Sequence, residues 1–170
     1  MNMFRRFLFF QFLLTVTLAQ FDWIDDGVPV RQGVHIEWQR SGDVSPNGDM
    51  IFSWSDTRNG IRDVFAQKVN AEGEKLWGTE GIAVVTSYGR QEDPILIADG
   101  EGGAFIIWAD YKDEPDTEGD VYAQHISSEG ILIWGETGVA LTNKSGQQTS
   151  LNMCKDGEGG FFAIWKDNQP

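Results

Sequence analysis

DGEGGAFIIWAD occupies residues 99–110, and DGEGGFFAIWKD occupies residues 156–167. Each begins with Asp-Gly and two further glycines, runs through an apolar stretch ending in Trp108 or Trp165, and reaches Asp110 or Asp167 two residues later. Asp-Gly ahead of a short apolar run signals a tight hairpin turn leading into a strand. The run is continuous rather than alternating, as in a strand covered on both faces. The copies stand 57 residues apart, and the same offset recurs elsewhere.

DVFAQ at 63–67 returns as DVYAQ at 120–124, Leu76-Trp77 as Ile133-Trp134, and Gly81 as Gly138. An earlier copy, Phe52-Ser53-Trp54, precedes Trp108 by 54 residues, because the loop DTRNGIRD at 56–63 is three residues shorter than DYKDEPDTEGD at 110–120. Trp23 precedes Gly27 by four residues, as Trp77 precedes Gly81 and Trp134 precedes Gly138, which aligns GVPV, GIAV and GVAL. A unit of strands repeating at this length is the signature of a propeller blade. The fold class is therefore all-β, a partial β-propeller of four-stranded antiparallel blades. The alternative is a β-sandwich, whose strands have no reason to repeat so strictly. Strands are expected near 48–55, 63–69, 93–98, 103–109, 119–126, 131–134, 149–154 and 160–166. The third and fourth of each unit should be the more polar, outer ones. No helix longer than two turns is expected after residue 25. Trp54, Trp108 and Trp165 should occupy equivalent, largely buried positions. Trp77 and Trp134 should match each other, with Trp23 mimicking them. Gln67 and Gln124, at one register inside the third strand, should bond a neighbouring strand or loop.

The N-terminus reads differently. Arg5 and Arg6 precede the apolar run FLFFQFLLTVTLA at 7–19, with Thr17 and Ala19 placed for a cut before Gln20. This is the layout of a secretory signal peptide, and the run is short for a membrane span. The organisation expected is thus a signal peptide at 1–19 and an incomplete propeller at 20–170. The latter holds an N-terminal closing strand, two full blades and the start of a third. Because a ring takes typically 4–8 blades, missing C-terminal blades of the same chain are expected partners. Localisation is secreted or cell-surface, with no membrane insertion after cleavage.

The chain carries 26 acidic and 13 basic residues, a formal charge of −13 that becomes −15 once the two leader arginines leave. Such a balance opposes nucleic-acid and anionic-lipid binding. Seven Trp and the six of eleven Phe that lie beyond residue 19 supply core material, so the acidity is not that of a disordered polyanion. Cys154 is the only cysteine, which precludes an internal disulfide, and the stretch LNMC suggests a small buried hydrophobe.

The pattern DGEGG, apolar run, Trp, Asp, loop, DVYAQ, Gly turn, Ile-Trp and Gly-Val step resembles a repeat of secreted bacterial proteins taken as β-propellers. Many of those carry a C-terminal sorting domain of the Bacteroidetes type, which does not occur in residues 21–170. The resemblance covers nearly all of that span. It implies an architecture and a setting but no reaction.

Candidate chemistry is sparse. Asp99, Glu101, Asp156 and Glu158 in the DGEGG loops offer oxygens to Ca²⁺, but a tight Asp-Gly hairpin turn is the preferred reading, because the motif falls between two strands in register. Asp110, Asp113, Asp116 and Asp120, with Glu114 and Glu118, crowd one insertion. They form the other Ca²⁺ candidate, without EF-hand spacing. Asp56, Arg58 and Asp63 suggest a structural charge cluster, with Lys112 in the place of Arg58. His125 aligns with Lys68 and is expected at the surface, and His35 has no metal-pairing counterpart. No catalytic residue, cofactor or hydrolase motif is identified. The function expected is a scaffold or binding module for an unknown protein or glycan ligand. The alternative is a sialidase-like, carbohydrate-active propeller with catalytic residues in missing blades. Against it, Ser55-Asp56-Thr57-Arg58-Asn59-Gly60 lacks the aromatic of an Asp-box turn.

Overall fold

The structure is a computed structural model that describes residues 29–30, 37–112 and 119–168, with only the backbone of Glu37 and Trp38. The leader at 1–19, Trp23, His35, Asp113, Glu114, Asp116 and Glu118 lie outside the described residues. Among those described there is no helix. Sheet I contains β1 (Glu37–Val44), β2 (Met50–Asp56), β3 (Asp63–Val69) and β4 (Ile82–Val85). Sheet II contains β5 (Gln91–Ala98), β6 (Ala104–Asp110), β7 (Asp120–Ile126) and β8 (Val139–Ala140). Sheet III contains β9 (Gln147–Lys155) and β10 (Phe161–Asn168). All pairings are antiparallel between sequence neighbours, and no sheet closes on itself.

Side-chain alternation explains how the sheets stack. From β6, Ala104, Ile106 and Trp108 pack with Ile51, Val64, Ala66, Trp77, Val84 and Val85 of the sheet I side. The intervening Phe105 and Ile107, with Val121 and Ala123 of β7, pack towards Leu151, Met153, Phe161, Ala163 and Trp165 of sheet III. Sheet II is thus covered on both faces, which is why β6 is apolar without interruption from Ala104 to Ala109.

First strands lie side by side, β1 against β5 and β5 against β9. Because β5 is an edge strand, its outward N–H groups need partners. Side chains of β1 accept from them: Ser41 Oγ from Leu96 N at 2.9 Å, and Asp43 Oδ2 from Ala98 N at 3.0 Å. Each first strand also carries a non-glycine residue in the left-handed region: Gln39 (φ 36°), Asp93 (φ 54°) and Ser150 (φ 56°). These positions are separated by 54 and 57 residues, like the tryptophans, and each lies at a break in its pairing register.

Several sequence expectations need correction. The segment 131–134 is not a strand; Leu132 makes one isolated bridge to Ile126. Sheet II is completed instead by Val139–Ala140, and sheet I by Ile82–Val85, both from the Gly-Val-type step. Gly81 and Gly138 explain this: each has positive φ, and an added Cβ would lie 2.5 Å from Ala66 O or 2.4 Å from Ala123 O. Only a glycine lets the chain press so closely on the third strand. Strand β1 was not anticipated, since its polar sequence EWQRSGDV lacks an apolar run. The third strands are not polar outer strands: β3 is buried throughout and β7 nearly so. Their polar side chains are instead consumed by internal hydrogen bonds.

Candidate functional site

The repeated Asp-Gly turns are held by their own aspartates. Asp99 Oδ1 accepts from Glu101 N at 2.7 Å and Gly103 N at 2.9 Å; Asp156 Oδ1 accepts from Glu158 N at 2.7 Å and Gly160 N at 2.9 Å. Such caps mimic a backbone turn. The backbone donors of residues 158 and 160 hold the Asp156 carboxyl below its ordinary pKa. The second Asp99 oxygen meets His125 Nε2 at 2.9 Å. His125 is therefore not a surface residue: it is half-buried, with its ring stacked 4.4 Å from Phe105. In sheet I the equivalent Lys68 is buried. Its ammonium donates to Gly102 O at 2.9 Å and pairs with Asp49 at 3.2 Å, tying sheet I to the turn of sheet II.

The buried glutamines bracket the next turn. Gln67 donates to Gly78 O at 2.6 Å and accepts from Lys68 N and Trp77 N, both at 2.9 Å. Gln124 donates to Gly135 O at 2.6 Å and accepts from His125 N at 3.1 Å and Trp134 N at 2.9 Å. An amide supplies both a donor and an acceptor, which this turn requires.

At the opposite strand ends stand the acidic corners. Asp56 accepts from Trp54 Nε1 at 2.8 Å and pairs with Arg58 at 2.6 Å; the guanidinium lies 3.7 Å above the Phe65 ring. Burial raises the Asp56 pKa, but the hydrogen bonds from Arg58 and Trp54 outweigh it and hold the carboxyl below its ordinary value. Asp63, opposite Asp56 across the strands, is raised by burial and accepts from Asn59 Nδ2 at 2.8 Å. In sheet II, Asp110 accepts from Trp108 Nε1 at 3.2 Å and Lys112 N at 3.0 Å, while the Lys112 ammonium lies 4.0 Å over Tyr122. Here burial dominates and raises the Asp110 pKa. Asp110 and Asp120 are register partners, buried at the mouth of the insertion whose Asp113 and Asp116 lie outside the described residues. Among the described residues no three His, Cys, Asp or Glu side chains converge to hold a metal ion.

The tryptophans divide. Trp54, Trp77 and Trp108 are buried, whereas Trp134 and Trp165 are half-buried. Trp108 lies against Gly138, and Trp54 against Gly81, both supplied by their own sheets. Sheet III has no such third and fourth strand among the described residues, so Trp165 keeps one side open. Beside it is a shallow hollow of about 220 Å³, lined by Leu141, Thr142, Asn143, Lys144, Trp165 and Asp167. It combines an indole face with hydroxyl, amide, ammonium and carboxylate groups. Cys154 is exposed rather than buried, because it lies on the face of sheet III turned away from sheet II.

No protein-family model matches the chain, and no curated protein matches it.

Proposed function

We propose that this chain is a secreted, non-catalytic scaffold or binding module of β-propeller type. One observation carries it: sheet II is packed on both faces by sheets joined strand to strand in the same antiparallel order. A two-sheet sandwich has no such doubly covered middle layer, whereas radial stacking of blades produces it. The polar groups at repeated positions support the non-catalytic part. The Asp99 and Asp156 carboxylates cap turns, Asp56 binds Arg58 and Trp54, and the buried glutamines close loops. Ligand contact then falls to exposed loop ends, and the hollow at Trp165 is chemically suited to a polyhydroxylated ligand such as a glycan.

Two measurements test this. Expression of residues 1–170 with N-terminal sequencing should give a mature start at Gln20, and retention of the leader would count against secretion. Incubation of the mature chain with aryl glycosides, sialosides included, should give no turnover. Turnover abolished by replacing a single carboxylate would establish the carbohydrate-active alternative instead.

A further inference from the structure

One row of polar side chains crosses an end of sheet II. Gln91 opens β5, Asp110 closes β6 and Asp120 opens β7. They are register partners in turn, so all three side chains stand on one face. Gln91 is 0% exposed and each aspartate 2%. Two carboxylates directly opposite one another repel when both are ionised, and the more so away from water. The corresponding row in sheet I is Glu37, Asp56 and Asp63, where Arg58 supplies a balancing charge by pairing with Asp56 at 2.6 Å. In sheet II the residue in that place, Lys112, bonds Asp110 through its backbone N–H at 3.0 Å, and its ammonium lies over the Tyr122 ring.

The glutamine of this row adds a separate observation. Gln91 Nε2 donates to Ser87 Oγ at 3.0 Å and Gly89 O at 3.3 Å, and the amide also hydrogen-bonds the Asp110 carboxyl. Gln91 Oε1 is buried and meets no donor among the described residues. The arrangement returns 57 residues later: Gln148 is completely buried, its Nε2 donates to Asp167 Oδ1 at 3.3 Å, and its Oε1 also meets no described donor. A buried amide oxygen is costly to leave unmet, and an ion or water is the usual answer. Water would satisfy the oxygen but leave the opposed carboxylates; a divalent cation answers both. We propose that Gln91 Oε1 and the carboxylates of Asp110 and Asp120 bind one divalent cation, Ca²⁺ in preference to Mg²⁺. Carboxylate and amide oxygens completed by water suit the flexible shell of Ca²⁺, whereas Mg²⁺ demands near-ideal octahedral geometry. A carboxylate that accepts a hydrogen bond keeps lone pairs for a metal. Because all three residues stand at strand ends, an ion reaches them without parting the sheet. Burial holds the metal-free Asp110 carboxyl above its ordinary pKa, so binding releases a proton and weakens as pH falls.

The probe is Tb³⁺, whose emission is excited through a neighbouring indole; Trp108 Nε1 lies 3.2 Å from Asp110 Oδ2. Titration of the metal-free protein should give tryptophan-excited emission that Ca²⁺ displaces at lower concentration than Mg²⁺. Asp120→Asn removes a charge, and Gln91→Met keeps the side-chain length without the oxygen. Each should raise the Ca²⁺ dissociation constant by about tenfold or more, and Gln91→Glu, which adds a charge, should lower it by about tenfold. Circular dichroism of the metal-free variants checks that they are folded. Unchanged Ca²⁺ affinity in folded Asp120→Asn and Gln91→Met would place the metal on surface acids and overturn the site, as would the absence of any emission that Ca²⁺ displaces. Should both variants fail to fold, Gln91→Glu decides, and an affinity no higher than that of the wild type overturns the proposal.

Discussion

Sheets II and III share a sequence pattern but not an environment. Phe105 is 6% exposed and its counterpart Phe162 65%; Ile107 is fully buried and Ile164 66% exposed. Trp108 is enclosed, whereas Trp165 borders a hollow. Nothing in AFIIW or FFAIW accounts for this. Burial here is a property of the neighbouring layer: among the described residues, sheet II has one on each side and two further strands of its own, and sheet III has one neighbour and two strands. A residue can be specified for a core by its sequence and still stand in solvent until a partner layer arrives.

The sharpest way to break this comparison is to truncate both tryptophans. Trp108→Ala should cost about 3–5 kcal/mol, the range for deleting a fully buried large aromatic. Trp165→Ala should cost less than about half of that, since half the contact is lacking. Urea unfolding of the dilute protein gives both numbers. Equal losses would show that sheet III is as well packed as sheet II.

A glycine pair extends the comparison to the backbone. At Gly138, with φ 68°, a Cβ would lie 2.4 Å from Ala123 O and 2.7 Å from the Trp108 ring. Gly138→Ala should therefore destabilise by about 2–4 kcal/mol, combining strain with overpacking. At Gly157, with φ 86°, a Cβ meets nothing within 4 Å. Gly157→Ala should cost only the conformational term, about 1 kcal/mol. Thermal unfolding distinguishes the two, and a Gly138→Ala protein as stable as Gly157→Ala would show that the fourth strand is not pressed on the third.

The smallest effect separates the acidic corners of sheets I and II. The Asp56 pKa is lowered in the fold, so its ionised form stabilises: that contribution is present above the unfolded value and is lost as pH falls through the folded one. The Asp110 pKa is raised, so the sign reverses: its contribution is present below the unfolded value and is lost as pH rises through the folded one. At neutral pH, Asp56→Asn should destabilise by about 1–3 kcal/mol through loss of charge-assisted hydrogen bonds. Asp110→Asn should cost less, about 0.5–1.5 kcal/mol: Trp108 Nε1 and Lys112 N bond different carboxyl oxygens, so the single amide oxygen keeps one of the two bonds, and no favoured charge is lost. Denaturation across the acid range should show the Asp56→Asn deficit shrinking as the wild-type carboxyl protonates. A deficit independent of pH would assign it to packing instead.

By itself the sequence determined the all-β class, the turn positions and the strands that carry apolar runs, because Asp-Gly turns and short apolar stretches act locally. It also marked Gln67 and Gln124, whose fixed register foretold an internal role, and the Asp56–Arg58 pair. Tertiary structure alone decided which segment completes each sheet. ILIW looks more strand-like than GVA, yet it makes only an isolated bridge at the end of the third strand, whereas Gly138 lets GVA pair alongside its middle. Only the stacking could reveal β1, whose Ser41 and Asp43 are polar because they satisfy the edge of β5. It likewise drew His125 inward against Asp99 and Phe105 and left Cys154 outside. The reason is common to all of these. Local pattern fixes which residues can turn or extend, but burial depends on atoms far away in the chain that only a stacked neighbour brings within contact distance.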